Sequence, residues 1–285
     1  MNFDEFKTQF DSFDDRPFAR GGQKEVYGAK HSIYGDVVVK ILEHCDERAN
    51  REISIVSENS FEHVPQIFGF SSLEYRGGVV GVIVEQRIRG VGLRDVIRSG
   101  KRYELPEIVD FLEQALSFIG QISEKGIVHR DIKPENIIIA NDGQLYFLDF
   151  GIARLLDATS ITATNQGGPF TPGYAAPEVM RGQREKIDTR ADLFSVGVVA
   201  YELITGENPF TRRANGNPFN IYMNTITITP VQHRILGDSQ SQLMGLISAL
   251  MSKTLFMRPK DAKQASSWLD SAKTTFRNGD DGQWS

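Results

Sequence analysis

Four residues in a fixed order carry the chemical interest of this sequence: Asp131, Lys133, Asn136 and Asp149. The first three lie in His129-Arg130-Asp131-Ile132-Lys133-Pro134-Glu135-Asn136, and the fourth opens Asp149-Phe150-Gly151. A loop carboxylate such as Asp131 can orient a hydroxyl and accept its proton. Lys133, two residues on, supplies a cation that can balance charge on a transferring phosphate. Asn136 and Asp149 offer hard oxygen donors of the kind magnesium prefers, and magnesium neutralises phosphate oxygens during phosphoryl transfer. Between them, Asn141-Asp142-Gly143 is a short-hairpin turn signal flanked by the apolar runs Asn136-Ile-Ile-Ile and Leu145-Tyr-Phe-Leu. Asn136 then begins the hairpin and Asp149 follows it, so the two converge despite their separation in sequence. Any one of these residues alone would read as a solvated loop residue; together, in this order, they point to phosphoryl transfer.

The elements that must position these groups change character along the chain. From about Arg16 to Gly90 the pattern is β-rich, with short runs at Glu25-Val-Tyr, Asp36-Val-Val-Val-Lys and Val79-Val-Gly-Val-Ile-Val-Glu, and one charged helical piece from Glu43 to Glu58. After Gly90 helices dominate. Pro106 suits a helix start, and Ile108, Leu112, Ala115, Leu116, Ile119 and Ile122 recur at helical spacing. From Asp192 to Ile204 the sequence is apolar on nearly every side, which predicts a helix in the core of the second lobe. The expectation is an α+β chain with a small antiparallel sheet lobe carrying one helix, a larger mainly helical lobe, and a cleft between them. Ahead of it, Phe3, Phe6, Phe10 and Phe13 fall on one face of an amphipathic helix over 1–15. That face either packs on the body of the same protein or docks a partner. A catalytic domain is expected over 16–278, its lobes over about 16–88 and 89–278, with a frayed polar tail at 279–285.

Composition narrows the function classes. The 285 residues are 40% hydrophobic and 24% charged, and the net charge is −5, so no overall basic field draws the chain to nucleic acid or anionic membrane. The single cysteine, Cys45, can form neither an internal disulfide nor a zinc site. The N-terminus lacks the cationic start and apolar run of a signal peptide, and no apolar stretch approaches twenty residues. A cytoplasmic setting is expected, without nucleic-acid or membrane partners.

From about Phe18 to Leu269 the chain resembles the eukaryotic-like (Hanks-type) serine/threonine protein kinases, whose catalytic loop and magnesium motif match His129–Asn136 and Asp149-Phe150-Gly151. The resemblance implies Asp131 as catalytic base, Asn136 and Asp149 as magnesium ligands and Lys133 as a phosphate contact. It implies that Lys40 grips the α- and β-phosphates of ATP, partnered by Glu52 or, failing that, Glu47. Thr171-Pro-Gly-Tyr-Ala-Ala-Pro-Glu178 resembles the end of an activation segment, Asp192-Leu-Phe-Ser-Val-Gly197 the buried helix that supports it, and Arg258 the partner of Glu178. For the adenine, it implies an apolar sandwich of Val26, Val38 and Ile138, Val84 as gatekeeper, and main-chain bonds from Glu85 and Arg87. The glycine-rich loop departs from the pattern: its three glycine positions fall at Ala19, Gly21 and Lys24, with Gly22 added. Lys24 either points to solvent or reaches the phosphates. Arg130 before the catalytic aspartate implies control by autophosphorylation at Thr159, Ser160, Thr162 or Thr164, with Arg154 as a second cation.

ATP, Mg²⁺, a protein acceptor with serine or threonine, and a homodimer acting in trans complete the expectation. The short glycine loop resembles that of bacterial stand-alone members. Small-molecule phosphotransferases share the aspartate–asparagine–aspartate set but generally lack an Ala176-Pro177-Glu178 segment with its arginine partner. Pseudokinase scaffolds usually lose residues at the positions of Lys40, Asp131 or Asp149, all of which stand here.

Overall fold

The valine-rich runs form strands because β-branched side chains pack well on a pleated surface buried from both sides. The computed structural model describes residues 1–21, 24–43, 53, 57–149 and 171–277. These fall into two compact units, 1–89 and 90–149 with 171–277.

In the first unit, β1 (Ser12–Phe13), β2 (Ala19–Gly21), β3 (Lys24–His31), β4 (Gly35–Leu42), β5 (Ile67–Tyr75) and β6 (Gly78–Gln86) make one antiparallel sheet. Its order is β1-β3-β4-β6-β5, with β2 also on β3. Arg76 and Gly77, both at positive φ, close the β5–β6 hairpin as a two-residue loop, the twist that adjacent right-twisted strands favour. Strand β5 was not legible beforehand. It is the edge strand, carries Gly69, Ser71 and Ser72, contains a bulge, and is half-buried along most of its length, so it lacks a strong alternation.

The helix expected over 1–15 is confined to α1 (Phe3–Lys7), capped by Asn2 and Glu5 in a reciprocal capping box. The chain then turns, and Phe13 enters β1 opposite Ala29. Phe3, Phe6, Phe10 and Phe13 still share one cluster, packed on Tyr27, Val37, Val39 and Val82 of the sheet. The face therefore covers the body of its own protein. On the other face Leu42 and Ile83 pack on Ile53, the described core residue of the 43–58 piece.

In the second unit β7 (Gly90–Gly92), β8 (Ile137–Ala140) and β9 (Leu145–Phe147) form a small antiparallel sheet, with α2 (Leu93–Arg98) and α3 (Leu105–Glu124) between β7 and β8 in the chain. The β8–β9 hairpin turns through Gly143 as expected. Pro106 lies in the first turn of α3, and the predicted stripe from Ile108 to Ile122 is buried. Beyond α4 (Pro177–Met180), helix α5 (Thr189–Thr205) is buried on every side from Ala191 to Leu203. At Gly197 it meets α7 (Gln242–Leu250), which follows α6 (Pro218–Thr227); a Cβ there would lie 2.7 Å from the Leu250 Cβ. Helix α8 (Ala262–Lys273) packs on α3 and α7. Among the described residues no helix is long and apolar enough to cross a membrane.

Two buried cations lie in the core of this unit. Arg258 makes a bidentate pair with Glu178 at 2.7 and 2.9 Å, the side chains being 0% and 3% exposed. It also donates to the carbonyls of Ser252 and Arg190. Lys253, nearby, sits 3.8 Å from the Phe210 ring centroid and 5.2 Å from that of Phe194, its enclosed Nζ without a hydrogen-bond acceptor among the described residues. Burial, and then the Arg258 cation, push its pKa down to about 7.

Arg258→Met leaves the Glu178 charge buried and uncompensated, and a loss of about 3–5 kcal/mol is expected in urea unfolding. Adding Glu178→Gln should recover part of it, because the orphaned charge is removed. Lys253 acts in the opposite sense. Its folded pKa lies below the ordinary 10.5, so the unfolded chain binds more protons between about pH 7 and 10.5 and stability rises with pH across that window. Lys253→Met should flatten this rise and raise Tm at pH 7 by a few degrees in calorimetry, as no charge is then buried.

Candidate active site

The catalytic-loop residues converge as their spacing implied. Asp131 Oδ1 accepts the hydroxyl proton of Thr171 at 2.8 Å, and Lys133 Nζ donates to the same hydroxyl at 2.8 Å while lying 2.9 Å from Asp131 Oδ2. Asn136 Nδ2 donates to Asp131 Oδ2 at 2.8 Å and to its carbonyl at 3.0 Å. Four sequence-predicted residues, Asp131, Lys133, Asn136 and Thr171, thus form one closed network. The strand register explains the place of Asp149. Leu148 N–H donates to the Asn136 carbonyl at 2.8 Å, which sets Asp149 one residue beyond Asn136 across the hairpin. Asp149 adopts a left-handed φ of 58°, uncommon outside glycine and asparagine and frequent at functional sites.

The loop is anchored from α5. Asp192, fully buried, accepts the main-chain N–H groups of His129 and Arg130, both at 2.7 Å. The sequence reading assigned its helix to support of the activation segment; Asp192 itself holds the catalytic loop. His129 donates to or accepts from its neighbours at both ring nitrogens, with Nδ1 3.2 Å from the Asp131 amide and Nε2 3.2 Å from the Leu148 carbonyl. Since the Asp131 amide can only donate, Nδ1 is the acceptor and Nε2 carries the proton.

A second network was missed. Arg94 of α2 donates to Glu135 at 2.8 Å, to Glu202 at 2.7 Å and to the Tyr174 hydroxyl, which in turn donates to Glu202. Burial works against the Arg94 charge, but Glu202, Tyr174 and Glu135 outweigh it and hold the guanidinium protonated. Burial, reinforced by the Glu202 charge, raises the Tyr174 pKa, so the phenol keeps its proton. The signal available in the sequence was Glu202 itself, an acid inside an otherwise apolar helix, which cannot stay buried without a partner.

The other expected residues lie on the sheet of the first unit, apart from Ile138, which is half-buried in β8. Cross-strand partners share a face, and alternate residues of a strand share it too. The register Lys24–Leu42, Val26–Lys40 and Lys40–Ile83 therefore puts Lys24, Val26 and Lys40 on one face, joined by Val38 and Glu85, which pair in the next row. Lys24 is half-buried on that face rather than standing out in solvent. Val84 falls on the opposite face beside Val39, packed on the aromatic cluster, so the gatekeeper role expected of it does not fit. Glu85 was expected to contribute main-chain atoms, yet its side chain is buried and pairs with Lys40, Oε1 to Nζ, at 2.5 Å. The Arg87 N–H donates to the Asp36 carbonyl at 3.4 Å, so this amide is engaged in the sheet instead of facing a base. Gly21 ends β2. Gly22, Glu47, Glu52, Phe150, Gly151, Arg154, Thr159, Ser160, Thr162 and Thr164 lie outside the described residues.

The donor chemistry suits magnesium. With its amide nitrogen committed to Asp131, Asn136 has its side-chain oxygen left as a hard donor that could hold the ion, with the Asp149 carboxylate at the adjoining position.

Comparison with known proteins gives the same assignment. Residues 16–270 match the family model of the protein kinase domain. The chain is 32% identical over 279 residues to the serine/threonine-protein kinase pkn2 of Myxococcus xanthus, covering 92% of this chain and 32% of that protein. It is 33% identical over 205 residues to the probable serine/threonine-protein kinase PknB of Corynebacterium glutamicum, covering 69% and 31% respectively. For the serine/threonine-protein kinase PknB of Mycobacterium tuberculosis the figures are 26% over 270 residues, 91% and 42%. The chain thus spans about a third of the length of the first two relatives and somewhat more of the third. An antiparallel sheet unit, a mainly helical unit and a catalytic loop closed on Asp131 agree with that match: the chain belongs to the protein kinase family, among the Hanks-type serine/threonine kinases of bacteria.

Proposed function

We propose that this chain is an ATP-dependent serine/threonine protein kinase that uses Asp131 as base. The observation that carries the reading is the engagement of a hydroxyl between Asp131 and Lys133: Thr171 Oγ1 donates to the carboxylate and accepts from the ammonium, each at 2.8 Å. A serine or threonine hydroxyl brought to Asp131 meets an acceptor of the right charge, and one already oriented by Asn136. As the acceptor oxygen bonds to the γ-phosphorus, the bond from that phosphorus to the β–γ bridging oxygen breaks and the hydroxyl proton passes to Asp131. Lys133 balances the negative charge of the phosphoryl oxygens. Magnesium, when bound, neutralises phosphate charge, and Asn136 and Asp149 would hold it. Lys40 is assigned to the α- and β-phosphates, with Lys24, on the same sheet face, as an added cation. The acceptor is taken to be a protein and the setting the cytoplasm.

Control by the segment between Gly151 and Pro172 belongs to the same reading. Arg130 stands beside Asp131, and a phosphate on Thr159, Ser160, Thr162 or Thr164 would add nearly two negative charges to pair with it.

Asp131→Asn keeps the shape of the side chain and removes the base. Transfer from labelled ATP with magnesium to a generic acceptor protein is expected to fall about 10²–10⁴-fold; an undiminished rate refutes the assignment. After incubation with ATP and magnesium, intact-mass and peptide measurements should place added phosphate within 159–164. Full activity without phosphate on this segment excludes control by autophosphorylation there.

A further inference from the structure

The sheet of the first unit carries a charge that the family resemblance does not call for. Lys40 and Glu85 are diagonal neighbours: Lys40 pairs with Ile83, and Glu85 stands two residues further along β6, on the same face. Diagonal positions lie about 7–8 Å apart, a gap that long side chains span, and here the ammonium and carboxylate close to 2.5 Å. The two side chains are only 9% and 10% exposed. A pair so enclosed is weakly screened, and each charge contributes to compensating the other. Around it the same face presents Val26 and Val38, the apolar residues assigned to the adenine.

We infer that Glu85 is a positioning residue for the nucleotide lysine: a carboxylate on the sheet itself that holds the Lys40 ammonium at the position where it meets phosphate. The inference rests on the proposed role of Lys40 in ATP binding. Its physical basis is that both partners ride on adjacent strands of one hydrogen-bonded sheet, so strand register fixes their separation. A counter-ion carried on a helix depends on where that helix lies; this one does not. A lysine side chain with four rotatable bonds is held in this pair before the nucleotide arrives, so that part of its ordering entropy is not charged to binding. Val84 lies on the opposite face, so it is Glu85 that stands on the face expected to carry the gatekeeper. In register with Val38, it puts an anion where Val84 was expected to put an apolar wall.

The test is a double-mutant cycle on the full chain, read as the Kd of a fluorescent ATP analogue with magnesium, with thermal melts to verify folding. Lys40→Met should weaken binding strongly. Glu85→Gln, nearly isosteric but uncharged, should weaken it roughly tenfold in the presence of Lys40 and less than about twofold when Lys40 is already methionine, within the range usual for contacting pairs. Glu85→Asp, which withdraws the carboxylate by one methylene, should lose about two- to threefold with the same dependence on Lys40; it carries the test if Glu85→Gln does not fold. Unchanged or tighter binding in both Glu85 variants overturns the inference, since the carboxylate is then idle or merely repels phosphate. An equal loss in both Lys40 backgrounds also overturns it, because a general disturbance of the sheet does not require the lysine. If Lys40→Met leaves affinity intact, the nucleotide role of Lys40 falls and the positioning role with it; if only the Glu85 variants are silent, the positioning role alone falls.

Discussion

The catalytic loop depends on one buried carboxylate. Asp192 has no exposed surface and spends its two oxygens on consecutive main-chain amides, His129 and Arg130. Such a group is stable in the interior only while both bonds are made, so the loop and the first turns of α5 constrain each other. Further along the same helix, Ser195 donates to the Tyr174 carbonyl, and Glu202 receives Arg94 and the Tyr174 hydroxyl. Positions i, i+3 and i+10 lie close together around a helix of 3.6 residues per turn. An otherwise apolar rod therefore presents one polar stripe, and each group on it binds part of the machinery: the loop bearing Asp131, the segment from Thr171 to Glu178, and the helix bearing Arg94. The apolar remainder of α5 fixes that stripe in the core.

The first unit follows the same rule with different parts. Its sheet buries one face under phenylalanines from the N-terminal residues and leaves the other for Val26, Val38, Lys40 and Glu85. Phe3, Phe6, Phe10 and Phe13 pack by three edge contacts and one stacked contact, centroids 5.2–6.5 Å apart within the set. They make that face largely apolar, its Glu25 carboxylate being taken up by the Tyr27 and Tyr75 hydroxyls, whereas Lys24, Lys40 and Glu85 lie on the other. What decides which residue meets a nucleotide is then strand parity.

Parity also explains what was legible beforehand. The acidic groups and Asn136 were readable because they lie within one loop and one tight hairpin, where sequence distance is a fair guide to spatial distance. The buried helix and the Ile108–Ile122 stripe were readable because each repeats a periodic signal over many residues. The gatekeeper was not. In Val79-Val-Gly-Val-Ile-Val-Glu85 nearly every residue is apolar, so the pattern does not say which residues face which way, and a shift of one reverses every assignment. Hence Val84 was placed on the wrong face, and Glu85, the one charged residue of the run, was given only main-chain work. A glutamate ending an apolar strand beside a lysine-bearing one was the available clue. Arg94 illustrates a different limit, because its partners Glu135, Tyr174 and Glu202 lie 41, 80 and 108 residues away, beyond the reach of any local pattern.

Two of the residues with left-handed backbone lie at chemically important points, and the surrounding bonds account for them. Arg130 and Asp149 flank the Asp131–Asn136 network and hold left-handed backbone at φ 66° and 58°, an arrangement costing about 1–3 kcal/mol each for residues with a Cβ. At Arg130 the residue's own amide is tied to Asp192, as is that of His129 before it. At Asp149 the preceding residue is held from both ends, its amide on the Asn136 carbonyl and its carbonyl on His129 Nε2. His129 belongs to both sets, since its main chain is fixed by Asp192 and its ring joins the Asp131 amide to the Leu148 carbonyl. A single imidazole therefore couples the two strained positions. Relaxing either one requires breaking bonds to a fully buried histidine, which is how this backbone keeps Arg130 and Asp149 in conformations that side chains with a Cβ rarely adopt.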